Sequence, residues 1–432
     1  MTRPATVALL PWGDVIEDFL DGIGVSLETF ANEMTGGWLF GYVEALKRTS
    51  IRTVVICVSK RVDTSTRYTH EPTGAAIWVL PAPNAYLRLR KEMLNPYGWS
   101  REDMFGDSSN LNRVVQEGIR SVAPYLSTPW RSLASVLGQE NARAILCQEY
   151  EYPRFDVAIR LGARLNLPVF ATFQGGDWQI SRIERWVRPR SMRAASGLII
   201  PTTTEAARVK STYGVPDAKI ARVFNPLDID AWVPPARQDV RQALGYCEDA
   251  ELVVWHGRVD LHRKGLDVLL DAWAKVVRAR TDRNLQLLLV GNGPSAAELR
   301  VRLAVEERVR WIDEYVLDRV RLRHLLAAAD VYAFPSRHEG FPVALVEALA
   351  SGLPVVATDA PGVPDIFGGQ RSFGVMVPRD DASAFAAALG GLLDHPGRAA
   401  LARAARARAE EAFSLESVGT RLAAVLFSDG QH

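Results

Sequence analysis

Short apolar, strand-like runs recur along the chain at 7–10, 53–58, 144–147, 169–172 and 197–200, and again at 252–255, 285–290, 331–334 and 355–357. Helical patterns separate them. After the 252–255 run, for example, Leu266, Leu269, Leu270, Trp273, Val276 and Val277 mark one face of a helix. Strands alternating with helices in this way predict parallel sheets built from βαβ units. Asn225-Pro-Leu-Asp228 and Trp232-Val-Pro-Pro235 interrupt the alternation with turn and proline signals, which puts a domain junction there. The expectation is an α/β chain of two doubly wound domains, residues 1–230 and 231–411, with one further helix at about 412–428 marked by Val418, Leu422, Val425 and Leu426. Ligands of such sheets bind beyond the carboxyl ends of the strands, so a cleft between the halves is expected.

The stretch richest in chemistry is Ser336-Arg-His-Glu339-Gly340-Phe341-Pro342-Val343, running on through Glu347 to Gly352 and Pro354. A β-prone run precedes it, Pro342 suits the first position of a helix, and Gly352 ends that helix before the next strand. A strand, a glycine turn and a helix N-terminus bring free N–H groups and the positive end of the helix dipole to one spot, a socket for phosphate. Glu347 is the only polar residue between Val343 and Ala350. A lone carboxylate in a buried helix needs a partner, and helical side chains lean toward the N-terminus, back at the socket. Hydroxyls one step along the ligand suit it better than phosphate, so a nucleoside diphosphate with its ribose at Glu347 is one reading. The other is a helix with one wet edge where Glu347 meets water or an arginine.

Arg258 and Lys264 follow the 252–255 strand within Gly257-Arg258-Val-Asp-Leu-His-Arg-Lys264-Gly265. Cations at a strand's carboxyl end can neutralise a departing diphosphate, Arg as a fork and Lys as a point charge; equally they are two surface cations. Gly291-Asn292-Gly293-Pro294 is a further glycine turn after the 285–290 strand, too short for a dinucleotide fingerprint.

Composition narrows the classes. The 432 residues are 23% charged and 48% hydrophobic with a net charge of +1, which fits a globular chain and lacks the basic excess of a nucleic-acid binder. No apolar run approaches the roughly 20 residues of a membrane span and no signal layout opens the chain, so cytoplasmic residence is expected. Cys57, Cys147 and Cys247 are far apart and form no metal-like pair. The alanine- and arginine-rich segment 398–411 reads as a solvated helix.

Taken together, Gly257-Arg258 with Lys264-Gly265, Leu287-Leu-Leu-Val-Gly291-Asn292-Gly-Pro at the end of the 285–290 run, Glu339-Gly340-Phe341-Pro342 through Glu347, and Gly352-Leu-Pro-Val-Val-Ala-Thr358 resemble glycosyltransferase family 4 over nearly all of residues 195–395. The first half matches only in outline. The resemblance implies the GT-B fold, two Rossmann-like domains facing across a cleft with the C-terminal helix packed back on the first. It also implies a metal-independent, retaining transfer from a nucleoside-diphosphate sugar, with no cofactor beyond that donor. On that basis Arg258 and Lys264 grip the donor diphosphate, Glu339 stands near the donor sugar, Glu347 binds ribose, and the Gly340, Phe341, Pro342 and Val343 backbone approaches sugar and phosphate, with Gly257 and Asn292 beside them. Gly36 and Gly37 resemble the glycine turn that faces the diphosphate from the other domain. An insertion of about residues 14–35 precedes that turn and is expected to shape the acceptor site. Gln174 stands where the family commonly has histidine; it can donate to a sugar hydroxyl but cannot serve as a general base near neutral pH, and it can equally be a strand-end polar residue.

Trp38, Glu149, Tyr150 and Trp178, with Glu151, are candidates for the acceptor side, since flat rings and carboxylates suit sugars, although such aromatics are more often core or lid. Arg182-Ile-Glu-Arg185-Trp186-Val-Arg188-Pro-Arg190-Ser-Met-Arg193 suits an anionic lipid surface at the inner leaflet or an acidic acceptor, against the simpler reading of a solvated helix. Three rivals accompany the transferase: a hydrolase using Glu339 and Glu347 as acid and base, a metal-dependent transferase using Asp228 and Asp230, and a non-catalytic nucleotide-sugar-binding protein. The socket argues against the first. The position of Asp228 and Asp230 at a proline turn argues for a structural role.

Overall fold

The computed structural model describes residues 4–98, 100–106, 111–175, 181–306, 308–316 and 318–427, without the side chains of residues 37 and 38. The chain forms two compact units, one of Met1–Pro226 with Val418–His432 and one of Leu227–Ser417. The first is built on β1 (Thr6–Leu10), β2 (Arg52–Ser59), β3 (Thr66–Thr69), β4 (Ala76–Pro81), β5 (Ala142–Gln148), β6 (Val169–Thr172), β7 (Gly197–Ile199) and β8 (Ile220–Ala221). The second is built on β9 (Glu251–His256), β10 (Leu285–Val290), β11 (Val309–Ile312), β12 (Val331–Phe334), β13 (Val355–Thr358) and β14 (Gly374–Val377).

The first sheet runs β3-β4-β2-β1-β5-β6-β7-β8, and the second β11-β10-β9-β12-β13-β14. Every pairing is parallel except β3 with β4. In each sheet the strand order reverses beside the first strand, between β1 and β5 and between β9 and β12. These switch points leave a crevice at the carboxyl ends of the strands, because the flanking crossovers run to opposite sides.

Parallel strands are covered on both faces, so they read as continuous apolar runs. Trp255 in β9 and Trp273 in the helix Leu266–Ala279 are fully buried in one cluster with Leu285, Leu287 and Phe385. Side chains of this kind stabilise by roughly 1.5–3 kcal/mol each when buried, before conformational entropy is counted. The 266–279 helix buries the predicted face except Val277, which is partly covered.

Five strands lie outside the sequence expectation: β3, β4, β8, β11 and β14. β3, Thr-Arg-Tyr-Thr, alternates partly exposed with exposed residues at the sheet edge and has no apolar run to announce it. The alanine-rich helix Arg398–Phe413 also departs from the expected solvated segment. Ala405, Ala409, Ala412 and Phe413 are buried, and Arg406 donates to the carbonyls of Trp232 at 2.9 Å, Ala350 at 2.7 Å and Ile229 at 3.0 Å. Alanine adds so little apolar surface that a packed face carries a weak hydrophobic signal. The last helix, Leu415–Leu426, buries Val418, Leu422 and Leu426. Among the described residues no helix is long and apolar enough to cross a membrane.

Candidate functional site

In the second unit, loops leaving β9, β10 and β12 press together at the switch point. Gly265, with φ 64°, begins the 266–279 helix, and a Cβ there would lie 2.0 Å from the Pro335 carbonyl oxygen. Gly291, with φ 140°, passes so close that its Cβ would lie 1.8 Å from the Gly257 carbonyl oxygen. Only glycine allows both the left-handed backbone and these approaches.

The consequence is that Lys264 stands beside Glu339, its Nζ 2.8 Å from each carboxylate oxygen. Arg337 fastens the same loops. It donates to Asp267 Oδ1 at 2.7 Å and Oδ2 at 2.8 Å and to the His262 carbonyl at 2.6 Å, and it also pairs with Asp380. Asp267 therefore sits with its carboxyl below the usual range: burial opposes the shift, and the Arg337 hydrogen bonds and charge outweigh it. Arg258 is exposed, and among the described residues no side-chain hydrogen bond or ion pair holds it. Asn292, in the turn after β10, donates to Asp313 at 2.6 Å.

The helix Val343–Ala350 opens on Pro342 as its N-cap, one residue earlier in role than expected, with no side chain capping its first N–H groups. Glu347 is 5% exposed and meets two partners: His256 Nε2 at 2.9 Å and Arg319 Nη1 at 2.6 Å. Burial works against its charge, but Arg319 and His256 prevail and hold the carboxyl below its ordinary value. An ionised carboxylate has about four acceptor positions, so two partners leave capacity for hydroxyl donors. His256, at the end of β9, keeps Nδ1 buried and unpaired. Neither His256, Arg319 nor Arg337 was assigned a role from sequence. Their partners lie 91, 28 and 70 positions away, and no local pattern marks pairs at such separations.

In the first unit, Gly36 is the N-cap of the helix Gly37–Arg48, with φ 68°. The side chain of Trp38 and the whole of Trp178 lie outside the described residues. The 14–35 insertion folds as two short helices, Glu17–Ile23 and Leu27–Asn32. Arg154 secures its start by donating to the Pro11 carbonyl at 2.9 Å and the Asp14 carbonyl at 2.6 Å. Trp12 stacks edge-on with Tyr97 and Phe19 and tilts against Tyr152.

Gln174 has both ends of its amide engaged. Its Nε2 donates to Thr172 Oγ1 at 2.9 Å and Asn225 Oδ1 at 3.3 Å, and its Oε1 accepts from Asn225 Nδ2 at 2.9 Å. Tyr42 also donates to Asn225 Oδ1 at 2.8 Å. Glu149, at the end of β5, is buried with φ 117°, a backbone state costing roughly 1–3 kcal/mol outside glycine. Its carboxylate accepts from the N–H groups of Gln174 at 3.1 Å and Glu151 at 3.0 Å. Tyr150 has no exposed surface: its ring stacks on Phe173 and its hydroxyl bonds Glu205, so it has no face to offer a sugar and belongs to the core. Glu151 is likewise buried, paired with Arg188 and Arg208. Asp228 accepts from the Ala231 N–H at 3.2 Å, a turn contact. Among the described residues no group of three or more His, Cys, Asp or Glu side chains is arranged to hold a metal.

Comparison with known proteins gives a consistent picture. A family model described as "Glycosyl transferases group 1" matches residues 250–395, and one described as "Glycosyltransferase Family 4" matches residues 101–231. The D-inositol 3-phosphate glycosyltransferase of Jonesia denitrificans is 32% identical over 244 residues, covering 54% of this chain and 56% of that protein. The GDP-mannose-dependent monoacylated alpha-(1-6)-phosphatidylinositol monomannoside mannosyltransferase of Corynebacterium glutamicum is 32% identical over 235 residues, covering 51% of this chain and 59% of that protein. The chain thus spans between half and two thirds of the length of these curated relatives. Among solved structures, Anabaena HepE in complex with UDP superposes with a TM-score of 0.67 at 16% identity, covering 98% of this chain and 100% of that one. The sucrose-phosphate synthase of Thermosynechococcus elongatus gives 0.65 at 18% identity, with 97% of each chain covered. These structures share the GT-B fold with this chain.

Proposed function

We propose that the chain, matched by glycosyltransferase models over residues 101–231 and 250–395, is a family 4 glycosyltransferase that moves a sugar from a nucleoside-diphosphate donor to an acceptor hydroxyl, without a metal and with retention at the anomeric carbon. The observation that carries the proposal is Lys264, held 2.8 Å from both oxygens of Glu339 beside the uncapped start of the 343–350 helix. Arg258, exposed just beyond the carboxyl end of β9, supplies a second cation on the same strand's loop. Glu347, ionised and with acceptor capacity to spare, suits the ribose hydroxyls.

When the bond from C1 to the diphosphate oxygen breaks, the diphosphate leaves with the electron pair and the sugar becomes oxocarbenium-like. Lys264, fixed by Glu339, and the first N–H groups of the helix meet the charge where it develops and lower the barrier without reorganising, while Arg258, unheld at the surface, moves onto the diphosphate as a further cation. The leaving phosphate oxygen then takes the acceptor proton as the acceptor oxygen bonds to C1 on the same face. Gln174, with its amide engaged by Thr172 and Asn225, orders the end of β6 instead of exchanging protons.

Turnover of uridine, guanosine and adenosine diphosphate sugars, with the product anomer assigned by NMR, tests this. One donor class is expected to give product of unchanged anomeric configuration, and Arg258→Ala or Lys264→Ala to lower kcat by about a hundredfold or more. An inverted product, or full turnover in both variants, would overturn it.

A further inference from the structure

A cavity of about 360 Å³ opens in the first unit where the parallel strands β1, β2 and β4 begin, at the opposite end of the sheet from the carboxyl-end crevice. Pro4 precedes β1, Ile51 and Thr53 bracket the start of β2, and Ala75 precedes β4, while Val43 and Lys47 come from the second half of the helix Gly37–Arg48. The volume falls at the lower end of the roughly 300–1,000 Å³ of ligand pockets.

The walls are preset. His70 is fully buried, its Nδ1 lies 2.7 Å from Thr73 Oγ1, and its N–H donates to the Ala75 carbonyl at 2.8 Å, which pins the turn leading into β4. Lys47 Nζ donates to the Thr73 carbonyl at 2.7 Å and ties the helix to that turn. A ligand therefore meets groups that are already ordered, and binding loses less entropy than at a mobile surface.

The lining is aliphatic with two polar features. Thr53 is 4% exposed, and among the described residues its buried hydroxyl has no hydrogen-bond partner. Such a group is costly to leave unpaired, and an oxygen of a ligand would relieve it. The second feature is Lys47, which is exposed and which no carboxylate pairs with among the described residues. Its bond to Thr73 uses one of three N–H groups. Arg52 also lines the cavity, but its charge is balanced by the Glu140 carboxylate, and its Nη1 donates to the Glu140 carbonyl at 3.3 Å. One uncompensated cation remains.

We propose that this cavity binds a small organic monocarboxylate, its hydrocarbon body against Val43, Ile51 and Ala75 and its carboxylate on Lys47, with the Thr53 hydroxyl as a further donor. One free cation answers one negative charge. A phosphate or nucleotide brings a second charge that nothing there meets, and a neutral apolar molecule leaves Lys47 unpaired. The site is independent of the reaction assigned above, and its occupancy is measured without turnover.

The test is ligand-observed NMR titration of the full chain with butyrate, hexanoate and benzoate, each against butanol, hexanol or benzyl alcohol as its neutral counterpart, and with inorganic phosphate. The carboxylates are expected to bind about tenfold more tightly than the alcohols, with affinity rising roughly fourfold for each methylene from butyrate to hexanoate. Lys47→Gln should erase the preference for the acids, and Ala75→Leu, which fills the cavity, should abolish binding. If Ala75→Leu melts early, hydrogen exchange in the unaltered chain decides: hexanoate should slow exchange of the amides at 50–53 and 73–75. Alcohols binding as tightly as acids, phosphate binding as tightly as hexanoate, or no carboxylate binding at all would overturn the proposal. So would hexanoate binding that survives in a normally melting Ala75→Leu chain or that leaves both segments unprotected.

Discussion

Asp14 shows how a single side chain can set the pH response of the first unit. It lies at the carboxyl end of β1, buried, and burial pushes its carboxyl up to about 7, with Arg154 offsetting part of the effect and Asp18 adding to it. An unfolded chain releases this proton near pH 4. The folded chain therefore binds more protons between about pH 4 and 7, and stability contributed by the protonated form is lost as pH rises through that window. The slope is at most about 1.4 kcal/mol per pH unit. Asp14→Asn, which mimics the protonated group, should match the parent near pH 4 and melt higher than it at pH 7.5; parallel melting curves would contradict this. Residues of the candidate site differ in how far they could be read. Glu347 declared itself, because a carboxylate inside an apolar helix needs a partner. His256 and Arg319 did not, since their approach to Glu347 exists only after three separate elements have packed. Tyr150 was open to either reading, and the reason it is core is Phe173 and Glu205, neither adjacent in sequence.

At the scale of elements, the helices 153–165 and 182–194 are joined through one buried guanidinium. Arg188 reaches Asp156, Glu151 and Glu184, and Glu151 in turn accepts from Tyr213 at 2.8 Å. Removing the cation leaves buried carboxylates without their counter-charge. Arg188→Ala should cost about 3–5 kcal/mol in urea unfolding, and a loss under about 1 kcal/mol would mean the network is no stronger than a surface pair. The segment holding Arg188 looked from sequence like an evenly basic helix; burial divides it into an inner arginine and outer ones, which periodicity with proline at 189 did not separate. Long apolar strands such as β2, β9 and β10 were legible because two-sided burial demands continuous runs. β8, only Ile220–Ala221, and β14, Gly-Val-Met-Val with one exposed position, are held by their neighbours' ladders and carry little pattern of their own. The 398–413 helix was legible as a helix but not as a packed one.

For the molecule as a whole, alternation of strands and helices was enough to anticipate two doubly wound sheets, because parallel pairing requires crossovers and crossovers of this length are helices. The β3–β4 antiparallel edge was not anticipated, since a four-residue polar strand obeys no such requirement. What the alternation could not supply is the placing of loops at the two switch points, where glycines decide how closely backbones pass. In the second unit that placing brings Lys264, Glu339, Arg258 and the start of the 343–350 helix to the end of one sheet, and this is the basis for assigning a nucleoside-diphosphate sugar to it. The direct measurement is a crystal soaked with UDP or GDP. Diphosphate density is expected within hydrogen-bonding distance of Lys264 Nζ and the backbone of 340–343, with the ribose hydroxyls on Glu347. Density bound elsewhere, with Lys264 and Arg258 making no contact to the diphosphate, would contradict it.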